Sequence, residues 1–208
     1  MRYDVQGLTM EQLKDRVTPN KVAGKTDMRG VPKPLYDTQV YPIGGTAAPL
    51  TFFTNAAAAG RFLTNMDQAG QLPNPEFFVV EYIALDILGI APGNVANLAD
   101  VHSILFGLTP SVAGAPYALL RYNSQEWGPW PLSQMHATGG PVGFSTRAGV
   151  EYANPGVPGS GGIWIGGALT LQPLKAFSLN IEWAAAAPVT AALQLRVSMW
   201  GTHYYQIT

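Results

Sequence analysis

The chain has 208 residues, of which 47% are hydrophobic and only 12% charged, with no cysteine and a formal net charge of −1. The charged share is about half that of an ordinary globular protein, and the hydrophobic share is too high for a disordered chain. These values exclude a disulfide framework and a thiolate metal site, and the length fits one all-β domain.

The charges divide the chain in two. Residues 1–33 hold seven basic side chains (Arg2, Lys14, Arg16, Lys21, Lys25, Arg29, Lys33) and four acidic ones (Asp4, Glu11, Asp15, Asp27), a net of +3, and residues 34–208 carry a net of −4. A mildly basic extended arm, 1–33, therefore precedes a charge-poor body, 34–208. The arm is either a solvated tail or a segment that docks on a neighbouring subunit, a lipid head group or a nucleic acid, with Lys14, Arg16, Lys21, Lys25 and Arg29 as its contact candidates. So small a net charge does not support specific nucleic-acid recognition. The opening residues MRYDVQGLTMEQLKDR lack the apolar segment of a signal peptide, and charges or glycines cut every apolar run short of the roughly 18 residues of a transmembrane helix.

In chain order, Thr9 and Gln12 suit a capping box for one or two helical turns over 9–16. Glycines, prolines and lysines from Val17 to Pro34 predict extended chain. Strands are predicted at 37–43, 49–54 and 76–88. In the last, apolar residues occupy both faces: Phe77, Val79, Ile83, Leu85 and Ile87 on one, Phe78, Val80 and Tyr82 on the other. That strand must lie centrally or beneath a neighbouring molecule. Residues 94–108 carry Val95, Leu98, Val101, Leu105 and Leu108 at helical spacing, with Asn94 or Asn97 as cap. Further strands are predicted at 116–122, 163–172, 176–183 and 190–200, with a last edge piece at 202–207. In AFSLNIEW (176–183) Phe177, Leu179, Ile181 and Trp183 share one face. Over 190–200 Leu193, Leu195, Val197 and Met199 alternate with Gln194, Arg196 and Ser198, so each strand has one dry face and one wet one. Glycine and proline are dense over 123–162, which predicts turns and long loops. The expected fold is an all-β, antiparallel two-sheet sandwich of jelly-roll type with one short inserted helix, about 94–108.

Residues that carry chemistry are scarce. His102, His136 and His203 lie far apart with no metal-ligand spacing, and no nucleophile elbow is present. PNKVAGKT (19–26) ends like a phosphate loop but has Pro19 where glycine is needed and no helix after it. The glycine clusters of GSGGIWIGG (159–167) fit bulges in a strand. No catalytic residue, cofactor or metal is therefore expected. Trp127, Trp130 and Trp164 are the candidate contact residues, either sealing a core or a subunit interface or stacking on sugar rings.

The turn and strand FLTNMDQAGQLPNPEFFVVEYIAL and the ending LKAFSLNIEW…LQLRVSMWGTHYY resemble the single-jelly-roll capsid proteins of tailless icosahedral phages, including the sphaerolipovirus type with an internal membrane. The resemblance covers roughly residues 35–205 in strand order and turn residues, and transfers no individual position. It implies a capsid subunit of a virion, made in the host cytoplasm, whose partners are copies of itself and other virion proteins, with membrane lipid or genome reached through the arm. A charge-poor, aromatic-bearing surface agrees with burial against copies of itself. The alternative is a carbohydrate- or receptor-binding β-sandwich, a spike or decoration domain using its tryptophans.

Overall fold

The structure, a computed structural model, describes residues 28–56, 60–89, 97–107, 115–136, 144–147, 150–153 and 161–206, with 144–147 and 150–153 described as backbone. Its strands are β1 (Met28–Tyr41), β2 (Leu50–Phe52), β3 (Phe77–Gly89), β4 (Tyr117–Tyr122), β5 (Gln125–Pro131), β6 (Phe144–Arg147), β7 (Val150–Ala153), β8 (Ile163–Leu171), β9 (Phe177–Glu182) and β10 (Leu193–Gln206). Two helices, α1 (Leu98–Phe106) and α2 (Leu132–Met135), interrupt them. One four-stranded sheet runs β1-β10-β3-β8, a second runs β2-β9-β4-β5, and β6 and β7 form a separate hairpin. All of these strand pairs are antiparallel. The chain is an all-β two-sheet sandwich, as its patterning predicts.

Alternation builds the core. Leu193, Leu195, Val197 and Met199 of β10 are buried and meet Phe177, Leu179 and Ile181 of β9 in one hydrophobic cluster between the sheets. Each fully buried aliphatic side chain of this kind contributes roughly 1.5–3 kcal/mol of transfer free energy. β3 lies between β10 and β8, the central place that its two apolar faces demand.

The faces of β3 differ from strict alternation. Trp200 pairs with Tyr82 and Gly201 with Val80, so Glu81 is an extra residue on β3. This bulge inverts the parity of the strand. Phe78 and Val80 therefore share the core face with Ile83 and Leu85, all four at 0% exposure, whereas Tyr82 joins Val79 on the outer face.

Other expectations need correction. Residues 125–131, predicted as loop, form β5, and 144–153 carry the β6–β7 hairpin. The breaks predicted between 200 and 202 vanish, because β10 runs unbroken to Gln206. Residues 28–33 of the predicted arm pair with β10 from Gln206 to Gly201. The arm candidates Lys14, Arg16, Lys21 and Lys25, and the short helix over 9–16, fall outside the described residues. The helix predicted over 94–108 is shorter, from Leu98 to Phe106, because Asn97 Oδ1 accepts from Ala99 N at 2.9 Å and Gly107, at φ +77°, ends it.

Two polar anchors fix the connections at the α1 end. Asp100, 2% exposed, accepts Thr190 N and Thr190 Oγ1, both at 2.8 Å, and Trp183 Nε1 donates to Ile104 O at 3.0 Å. The Tyr41 hydroxyl donates to Ala187 O at 2.9 Å and accepts from Ala187 N at 3.0 Å. These bonds satisfy the buried polar groups of Asp100, Trp183 and Tyr41.

Candidate interaction face

The outer face of the β1-β10-β3-β8 sheet carries the most distinctive arrangement in the molecule. Register places Pro34, Trp200, Tyr82 and Trp164 in one row, one residue from each strand. Trp200 and Tyr82 lie with ring centroids 5.9 Å apart and planes 6° from parallel. Tyr82 and Trp164 follow at 6.4 Å and 18°. Trp164 is 72% exposed and Trp200 41%.

Two bulges make the row. Glu81 turns Tyr82 outward, and on the facing strand residues 165–168 have no partner in β3, since Trp164 pairs with Tyr82 and Leu169 with Val80. Gly166 sits in that excursion at φ +65°, where an added Cβ would stand 3.1 Å from Trp164 Nε1. The backbone angle favours glycine, and an added Cβ would press on the exposed indole.

A polar row lies further along the same face, separated from the aromatic one by Tyr36, Ser198 and Ala84. Thr38, Arg196 and Asp86 are in register. Arg196 donates to Thr38 Oγ1 at 3.1 Å and to Phe62 O at 2.8 Å, and its guanidinium stands 5.0 Å from the Tyr36 ring centroid. The Tyr36 hydroxyl in turn donates to Arg61 O. These bonds hold the 60–65 segment against β1 and leave Phe62 90% exposed beside the sheet. Burial pushes the Asp86 carboxyl above its ordinary value, with His136 and Arg196 opposing. Burial also pulls His136 below its ordinary value, with Asp86 opposing.

Trp127 and Trp130 are elsewhere. They pair with Leu120 and Ala118 of β4 and pack, partly buried, against the core at the edge of the second sheet. Of the three candidate tryptophans only Trp164 stands on the outer face of the first sheet. Arg29 is exposed on β1, opposite Tyr205. His102 lies on α1 against Phe106, His136 bridges to Leu85, and His203 is buried at the far end of β10. No group of three or more potential metal ligands occurs among the described residues. The partners of Trp164, Tyr82 and Trp200, escaped sequence reasoning; the signal was three aromatics in strands, but only the register joins them. On this side of the sheet Trp164, Trp200 and Phe62 are exposed.

No helix of the described residues is long and apolar enough to cross a membrane. Comparison with protein-family models, with the curated proteins and with the solved structures returns no match.

Proposed function

We propose that the chain is a structural subunit of a virion, a capsid-type protein that assembles with copies of itself through the flanks of its sandwich. The observation that carries this reading is the exposed aromatic row spanning three adjacent strands of one sheet, β10, β3 and β8, on a chain whose residues are only 12% charged. Exposed aromatic rows of this kind are what subunit contacts bury. The strand order supports a jelly roll: apart from the β6–β7 hairpin, eight strands divide between two sheets, with β1, β3, β8 and β10 in one and β2, β4, β5 and β9 in the other. On this reading residues 1–27 are an arm that reaches a neighbouring subunit, membrane lipid or the genome. The test is sedimentation and negative-stain electron microscopy of the purified protein. Closed shells or discrete oligomers are expected; a monomer at every concentration overturns the proposal.

A second reading rests on Trp164, whose exposed ring suits stacking on a sugar. A glycan array tests it: binding lost in Trp164→Ala supports a carbohydrate-binding module, and an array without binding removes it.

A further inference from the structure

His203 is 4% exposed, on the core side of β10 opposite Val31 and Phe78. Its Nε2 lies 2.9 Å from Glu76 Oε2, just before β3, within ion-pair distance but without hydrogen-bond geometry, and neither ring nitrogen makes a hydrogen bond. The charged groups around it are Lys33 of β1, Glu76, and Asp67 of the connection between β2 and β3; the Tyr205 ring stands 6.2 Å away. Three separate parts of the fold thus meet at one buried imidazole: the first half of β1, the last residues of β10 and the start of β3.

We propose that His203 is an acid-sensitive latch, whose protonation releases the Met28–Lys33 half of β1 from the end of β10. A buried imidazolium beside the Lys33 ammonium is unfavourable, whereas the same ring in an opened strand is hydrated and takes a proton freely. Burial first and Lys33 second push the closed-state value down to about 4 from its ordinary 6.5, with Asp67 opposing. A group depressed in this way stabilises the closed state fully above 6.5 and loses that contribution as pH falls toward 4. The Glu76 carboxyl, pushed up chiefly by burial, acts in the opposite sense and limits the response. The latch does not depend on the capsid reading.

Hydrogen exchange of the full chain, corrected for intrinsic rates, tests it at pH 7.5 and pH 5. Opening of residues 28–36 and 198–206 is expected to rise about tenfold at pH 5, while β4 and β9 stay unchanged. His203→Phe, which keeps a ring without a titrating nitrogen, is expected to abolish the rise; if that variant does not fold, His203→Gln serves the same comparison. Glu76→Gln is expected to leave the acid response in place or enlarge it. A flat wild-type response, an equal rise in β4 and β9, or an undiminished rise in the folded His203 variant overturns the proposal.

Discussion

Trp164 and Tyr82 stand side by side on the outer face of the first sheet, 6.4 Å between ring centroids, because a bulge on each of their strands turns them the same way. If this row is a subunit contact, Trp164→Ala weakens assembly without harming the fold. Its side chain is 72% exposed, so the cost in stability should stay within about 0.5 kcal/mol. Loss of an interface anchor costs about 2 kcal/mol, roughly a thirtyfold weaker association. A sedimentation series over concentration measures it. Assembly equal to wild type would remove this face from the contact.

The start of β1 sets the truncation that tests the arm. Deleting 1–27 leaves every β1–β10 pair intact, whereas deleting 1–33 also removes the pairing of residues 28–33 with Gly201–Gln206. The shorter deletion is expected to weaken assembly while the β-sheet circular dichroism and melting temperature stay as in wild type. The longer one lowers the melting temperature as well, because β10 loses half of its neighbour. Normal assembly of the shorter deletion would show that the arm plays no part.

Tyr41 joins two connections through one oxygen. Removing it in Tyr41→Phe leaves both the N–H and the carbonyl of Ala187 without the partner they have now, at 3.0 and 2.9 Å. A buried unpaired group costs about 1–3 kcal/mol. A lower urea midpoint with unchanged slope is expected, and an unchanged midpoint would mean that water replaces the hydroxyl.

The sandwich was legible in the sequence where alternation is strict, as in AFSLNIEW and over Leu193–Met199. It was illegible wherever a bulge intervenes. Glu81 shifts β3 by one residue, so that Phe78 and Val80 change company, and no local pattern marks such an insertion. β5 was hidden by its own composition, since Gly128, Pro129 and Pro131 read as turn residues although Trp127 and Trp130 pair with β4 at the sheet edge. For the same reason Gly201 looked like a strand end. The aromatic row depends on the register of three strands distant in sequence, which composition and spacing cannot supply; of its exposed members, Trp164 alone was singled out.

Gly201 is held by the bulge it faces. A Cβ there would be driven into the Val79 carbonyl oxygen, which is backbone and cannot step aside. Gly201→Ala is therefore expected to cost about 3 kcal/mol or more, enough to prevent folding or to pry β10 from β3. Soluble expression and the melting temperature report it. A variant as stable as wild type would mean that the two strands are not so closely apposed at this point.

Asp86 offers a pH-dependent test on the outer face. Burial raises its carboxyl, so the folded protein binds that proton more tightly than the unfolded chain does, and stability is lost as pH rises through its ordinary value of 3.8 to the raised one. At pH 7 the ionised group is a cost that His136 and Arg196 only partly offset. Asp86→Asn removes the cost and is expected to leave urea stability at pH 7 unchanged or higher. The same substitution removes the charge that supports a protonated His136, whose value burial already lowers. Stability of the variant should then fall more steeply than wild type as pH drops below 6.5. A loss of more than about 1 kcal/mol at pH 7 would show instead that attraction to Arg196 outweighs burial at this pair.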